Sequence, residues 1–389
     1  RICRIDDYPA EITADAPTLV ILQQDRQGMV SHVTQILAER GINIAVMRLS
    51  RTARGEIACC VIEVDGELPA GLVERVAGVP GCSRRARCAE ARRETERRRQ
   101  MYRDFVDVAR ACAQRGIGPA QLFLESECRL TERAPDEVRA QLRARWAVME
   151  ASARQALEAP QRTAGGLIDG MAHRQWTYAP GQSLCGPFLN RVMARALSCS
   201  EVNASMGRIC AAPTAGACGV LPAVLVSLQE ERGLGWEALE GALLVASGFG
   251  AVVMRNATVA GAEGGCQAEC GVAAAMAAAA AVQAAGGTLE QMLSAFSHAL
   301  SCCMGLICDP VAGLVQVPCA QRNASQAVSA LLCADLALAG QVFPIPADEV
   351  VEAMRRVGRQ LPPELRETAQ GGIADTETGR AIAARLAQE

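Results

Sequence analysis

Gly264-Gly265-Cys266-Gln267-Ala268-Glu269-Cys270-Gly271-Val272-Ala273-Ala274-Ala275-Met276-Ala277-Ala278-Ala279-Ala280-Ala281-Val282-Gln283-Ala284-Ala285-Gly286-Gly287 runs from a double glycine through a cysteine into an alanine-rich segment. The segment has no polar stripe, and its apolarity per residue is too low for a membrane span. It reads as a helix packed on all sides by neighbours that approach through small side chains. Helix formers also dominate 134–158, 241–254, 289–303 and 325–339, and alternating β-branched runs are scarce beyond residue 115. Residues 115–389 are therefore expected to form one all-helical domain whose glycine-rich turns carry the polar motifs.

Composition agrees with small-residue packing. Half of the 389 residues are apolar but only 3% are aromatic, and 35 are glycine. A net charge of −3 gives no basic footprint for nucleic acid. Eighteen cysteines are scattered too irregularly for a disulfide framework. No basic segment followed by an apolar run opens the chain, so neither a signal peptide nor a membrane anchor is expected. The expectation is a reducing, cytoplasmic compartment. Arg1 stands where a methionine would begin a natural chain, as in a fragment of something longer.

The N-terminal part has a different grammar. After a segment 1–16 without a clear pattern, Thr18–Gln24 reads as a strand, Asp25-Arg26-Gln27-Gly28 as a turn, and 29–40 as a helix with Val30, Val33, Ile36 and Leu37 on one side. Gly41 closes that helix. Residues 43–50 and 56–64 are β-rich runs joined by a hairpin at 51–55. A helix over 68–78 and a strand over 82–88 complete βαββαβ, a ferredoxin-like sandwich across 17–88. A charged, Arg-rich helical linker follows over 89–114. At Asp25-Arg26-Gln27-Gly28-Met29-Val30-Ser31 and Gly41-Ile42-Asn43-Ile44 this unit resembles an ACT domain. That resemblance implies an amino-acid site at the turn formed by Asp25, Gly28 and Asn43, or a dimerisation module with no ligand.

Three cysteines sit on turns rather than in apolar helices: Cys266 above, Cys308 in Gly305-Leu306-Ile307-Cys308-Asp309-Pro310-Val311-Ala312-Gly313, and Cys319 in Val317-Pro318-Cys319-Ala320-Gln321-Arg322-Asn323. Turns with free backbone amides can deliver thiolates to iron and donate hydrogen bonds to sulfur. Three such ligands, rather than four, would leave one iron open to a substrate. Zinc is the rival, with three thiolates and a fourth ligand. The absence of a compact CxxC pair argues only against a ribbon-type zinc site. Polar side chains in Ser200-Glu201-Val202-Asn203-Ala204-Ser205-Met206-Gly207 and Ala212-Pro213-Thr214-Ala215-Gly216 lie among Ala and Gly, where burial is costly without partners.

Together with Gly371-Gly372-Ile373-Ala374, these stretches resemble, in order, the α catalytic domain of the iron–sulfur-dependent L-serine dehydratases, over 163–379. The resemblance implies an α+β multidomain chain: an ACT domain followed by an all-α catalytic domain. It implies a [4Fe–4S] cluster on Cys266, Cys308 and Cys319, and β-elimination of L-serine to pyruvate and ammonia with iron as Lewis acid. Asn203, Ser205, Thr214 and Arg322 become candidates for substrate or cluster contacts, Arg322 because guanidinium suits carboxylates. Asp309 and Glu269, beside cluster ligands, are candidate catalytic carboxylates or structural ones. No lysine lies between Thr163 and Gly379, so no pyridoxal phosphate is expected. His32, His173 and His298 read as surface or structural residues. Cys59, Cys60, Cys218, Cys270, Cys302 and Cys303 read as small core residues.

The chain departs from the family in one segment. Single-chain relatives carry a β domain with a Ser-Ser-Ser-His-Thr-x-Gly-Pro-type stretch, and no such stretch occurs here; Leu184-Cys185-Gly186-Pro187 lacks its histidine and serines. A separate β subunit is the expected partner, and a homo-oligomer is the expected assembly. No cysteine follows Cys333, so a C-terminal cysteine plug on the open iron is not expected. An L-cysteine lyase and an amino-acid or oxygen sensor are the alternatives to the serine reading.

Overall fold

A computed structural model describes residues 2–5, 8–12, 18–26, 28–51, 56–65, 72–77, 79, 82–87 and 102–388. Two compact units divide between Gln100 and Met101. The first opens with an antiparallel pair, β1 (Ile2–Ile5) and β2 (Tyr8–Ile12), inside the segment to which the sequence pattern assigns no structure. The ferredoxin-like body follows as β3 (Thr18–Gln24), a helix Met29–Ala38, β4 (Ile44–Arg51), β5 (Ile57–Val64), a helix Leu72–Ala77 and β6 (Cys82–Arg87). The sheet order is β4-β5-β3-β6 with every pair antiparallel.

The expected βαββαβ order is present, and its core shows why. Leu19 and Ile21 of β3 and Cys60, Ile62 and Val64 of β5 recur at every second position. Val33 and Leu37, then Leu72 and Val76, recur at every fourth and close over that face. The expected hairpin turn over 52–55, residues 66–71, Cys88 and the linker over 89–101 lie outside the described residues.

The second unit is helical, and it takes in part of the expected linker. Phe105–Arg115 is its first helix, capped by Asp104, whose carboxylate accepts from the Asp107 amide at 2.7 Å. Phe105 is buried against Phe249 and Phe296, with ring centroids 4.8 and 5.0 Å away. Asp348 accepts hydrogen bonds from the Phe105 and Val106 amides at 2.9 and 3.2 Å, fixing this helix to Ala347–Gln360.

The alanine-rich stretch is the centre of the unit. Val272–Ala284 is a helix with all of 272–282 buried, packed by Val220–Arg232, Trp236–Asn256, Leu289–Cys302 and Cys319–Leu338. Among the described residues one helix, Trp236–Asn256, is long and apolar enough to cross a membrane; Leu239, Val245 and Phe249 on it are buried within the unit. Small residues let these helices close up. A Cβ on Gly248 would lie 2.3 Å from the Phe123 ring, whereas one on Gly241 in the same helix would meet nothing nearer than 3.5 Å.

The two glycines predict opposite outcomes. Gly241→Ala gains helix propensity and should stabilise by up to about 1 kcal/mol. Gly248→Ala should destabilise by about 1–3 kcal/mol through overpacking. Thermal unfolding of the two variants side by side measures both signs.

Candidate active site

Cys266, Cys308 and Cys319 are all buried, and each is delivered by a different turn. Gly265 swings the chain into Cys266 at φ +75°. A Cβ there would sit 2.6 Å from Leu361 Cδ1 and 2.8 Å from the Leu306 carbonyl oxygen, so only glycine fits. Cys266 then precedes a π-helical turn, Gln267–Gly271, which opens into the central helix. Such widened turns are frequent at functional sites.

Gln267, fully buried, braces this turn. Its Nε2 donates to the Gly264 and Met354 carbonyls at 2.9 and 3.1 Å, and its Oε1 accepts from the Gly305 amide at 2.9 Å. Its own amide donates to Leu306 O at 3.0 Å. One side chain thus ties the Cys266 turn to the approach of Cys308 and to the helix Ala347–Gln360. Cys308 pairs with a distant segment: its amide donates to Leu365 O at 2.9 Å and its carbonyl accepts from the Glu367 amide at 2.7 Å. Cys319 is the first residue of Cys319–Leu338.

The two later turns are locked by charge. Arg322 Nη2 forms an ion pair with Asp309 Oδ1 at 2.8 Å, and its Nη1 donates to Ile307 O at 2.8 Å. Asp309, 1% exposed, also accepts from the Ile373 amide at 2.8 Å through Oδ2. A Cβ on Gly372 would lie 2.2 Å from that same oxygen, and its φ is +61°. This accounts for the glycine immediately before Ile373.

Electrostatics make the thiols unwilling to ionise together. Burial pushes the Cys319 thiol up to about 12, with Cys266 and Glu269 adding to it and Arg322 opposing. Burial raises Cys308 further, followed by Glu269 and the other two thiols. Cys266 is the exception: a hydrogen bond from Cys270 lowers it, against burial and with help from Arg322. Glu269 is raised, first by burial and then by Glu367. Cys308 Sγ donates to Glu269 Oε2 at 3.7 Å, and ligand atoms of Glu269, Cys308 and Glu367 lie within 4.8 Å of one another. A metal centre reverses this balance by deprotonating the thiols that bind it. Three thiols close enough for their charges to interact are a soft donor set that fits an iron–sulfur cluster.

Residues 89–374 match the family model of the serine dehydratase alpha chain, and 19–76 match that of the small-subunit-like ACT domain of AHAS. The chain belongs to the serine dehydratase alpha chain family. It is 48% identical over 281 residues to an L-serine dehydratase alpha chain of Peptoniphilus asaccharolyticus, covering 72% of this chain and 95% of that one. A probable L-serine dehydratase alpha chain of Bacillus subtilis is 42% identical over 287 residues, 74% of this chain and 95% of that one. L-serine dehydratase 2 of Escherichia coli is 34% identical over 287 residues, covering 70% of this chain but 61% of the longer relative.

The other predicted residues divide. Thr214 stands beside Glu269: its Oγ1 is buried within reach of that carboxylate without a well-formed hydrogen bond among the described residues. Asn203 Nδ2 lies 3.5 Å from Ala215 O, the carbonyl of the residue after Thr214. Ser205 donates to Val202 O at 2.9 Å, the local bond of a residue ending its helix. Arg322 and Asp309 are brought together with the cysteines: they pair with each other, and Arg322 also acts on the Cys266 thiol. In the ACT unit Asp25 pairs with Arg51 at 2.8 Å, Asn43 donates to Asp65 at 2.6 Å, and Gly28 turns at φ +91°. A groove lined by Ser31, Thr34, Gln35, Ile42 and Asn43 adjoins that turn.

His173 and His298 contact the Leu157 and Gln341 carbonyls at 2.7 and 3.3 Å, and His32 is exposed, as a structural or surface role requires. Cys59, Cys60, Cys218, Cys270 and Cys303 are buried; Cys302, expected in the core, is exposed. An apolar cavity of about 240 Å³ between Phe123, Val138, Leu244 and Val252 shares no residue with the three cysteine turns. Two braces escaped sequence reasoning. Buried Gln316 accepts from Thr163 Oγ1 at 3.0 Å and the Leu167 amide at 3.1 Å, and buried Glu201 accepts from the Gln161 and Ala172 amides at 2.6 and 3.2 Å.

Gly372→Ala should displace Asp309 and with it the Cys308 turn. A loss of more than about 2 kcal/mol is expected from steric overlap in a left-handed position, read as a lowered unfolding midpoint, with Gly233→Ala, left-handed but uncrowded, losing less.

Proposed function

We propose that this chain carries a [4Fe–4S] cluster on Cys266, Cys308 and Cys319 and eliminates water from L-serine. The observation that carries this reading is that three buried thiols on three turns lie close enough for their charges to interact, with two carboxylates beside one of them. The relatives' names supply the substrate. L-serine loses its α-proton and β-hydroxyl as water, and the released aminoacrylate takes up water to give pyruvate and ammonia. When bound, the cluster supplies a Lewis-acidic iron without a cysteine ligand, which helps hydroxide to leave.

The chain's own residues do the rest. Glu269, raised by burial beside Cys308, can hold a proton at its carboxylate and is the proposed acid–base group. Thr214 offers a buried hydroxyl next to it, and Asn203 is the proposed substrate contact at the outer edge. Arg322 and Asp309 position the Cys308 and Cys319 turns rather than touch substrate. No pyridoxal phosphate is needed, because no lysine lies between Thr163 and Gly379. The names of the relatives, alpha chains, support a β chain as partner; a reducing, cytoplasmic setting and a homo-oligomeric assembly are part of the same proposal. The groove beside Asp25, Gly28 and Asn43 is the proposed amino-acid site of the ACT unit.

Anaerobic reconstitution tests the reading. Cys308→Ala should abolish iron binding, whereas Cys60→Ala, in the other unit, should retain wild-type iron. Equal iron in the two removes Cys308 from the ligand set, and stoichiometric zinc in place of iron sinks the cluster. Iron-replete protein supplied with its β chain should release pyruvate from L-serine and lose that activity in air. No pyruvate under those conditions ends the lyase reading.

A further inference from the structure

We infer that Glu367 is a substrate-binding residue that receives the α-ammonium group of the amino acid, an assignment that rests on the lyase reading above. No motif in the sequence marks Glu367. The fold brings it in from the C-terminal segment, where its amide donates to Cys308 O at 2.7 Å. Its carboxylate lies within 4.8 Å of both Cys308 Sγ and the Glu269 carboxylate.

The charges around Cys308 leave it one use. Arg322 is engaged by Asp309, by the Ile307 carbonyl and by the Cys266 thiol. Glu269 is half-buried and shares the Cys308 thiol and Thr214. Glu367 is exposed, and its carboxylate has no hydrogen-bond or ion-pair partner among the described residues. Two like charges this close repel, and three thiolates would add more negative charge. L-serine at neutral pH carries one cationic group, its α-ammonium. Two carboxylate oxygens no more than 4.8 Å apart can both reach one nitrogen at about 2.8 Å, the length of a charge-assisted hydrogen bond.

The backbone holds the residue for this purpose. Glu367 and Ala369 both sit in the left-handed region, at φ 64° and 56°. Such conformations are costly for residues with a side chain and persist where surrounding structure imposes them. Here the pairing of 365–367 with Cys308 holds the first, and the carboxylate stands beside the Cys308 thiol and Glu269.

Glycerate tests this directly, because it is L-serine with a hydroxyl in place of the ammonium group. Reconstituted holoenzyme, wild type and Glu367→Gln, with the β chain present, would be titrated with each ligand by calorimetry and assayed for iron. The substitution should weaken L-serine binding at least about tenfold, change glycerate less than about threefold, and leave iron content unchanged. Equal weakening of both ligands, undiminished L-serine binding, or loss of iron each overturns the assignment. Wild-type protein that binds neither ligand would instead overturn the lyase reading beneath it.

Discussion

A carboxylate at 1% exposure must be paid for in partners, and Asp309 has two: the Arg322 guanidinium and the Ile373 amide. Removing either partner leaves a buried charge that is expensive to keep. The pair therefore sets the geometry of three segments at once. Asp309 follows Cys308, Arg322 stands one helical turn after Cys319, and Ile373 belongs to the C-terminal segment that also delivers Glu367. Arg322 extends the lock to Ile307. Pull this ion pair apart and two of the three thiols lose their relative position.

The third thiol is held by a different kind of force. Cys266 stands at the head of the alanine-rich helix, whose burial on every side makes it a rigid floor. Gln267 carries that rigidity across to Gly305 and Met354 with neutral hydrogen bonds. Close helix packing fixes where Cys266 is, and polar braces fix what stands opposite. The arrangement preorganises the three proposed ligand turns, and the proposed recognition of substrate draws on the carboxylates beside Cys308.

Much of this is legible in the sequence because it is periodic. Alternation at Leu19 and Ile21 and the four-residue spacing of Val33 and Leu37 give the ferredoxin-like unit, and an alanine run without a polar stripe gives a helix buried all round. The cysteine turns are legible because glycine and proline around a thiol are unusual in a core. What stays hidden depends on partners far apart in the chain. Nothing near Phe105 says that it packs on Phe249 and Phe296, so the charged stretch before it reads as linker. Arg322 looks like a carboxylate receptor until Asp309 is seen to occupy it. Glu367 reads as one exposed acid among many, because the pairing that places it involves Cys308, remote in sequence.

The central claim is that Cys266, Cys308 and Cys319 hold a four-iron cluster with one iron left for substrate. Mössbauer spectroscopy of the iron-57-reconstituted protein, before and after L-serine is added, tests it most directly. One iron in four should change its parameters with substrate while the other three keep theirs. Four irons that respond identically, or do not respond at all, would contradict the account.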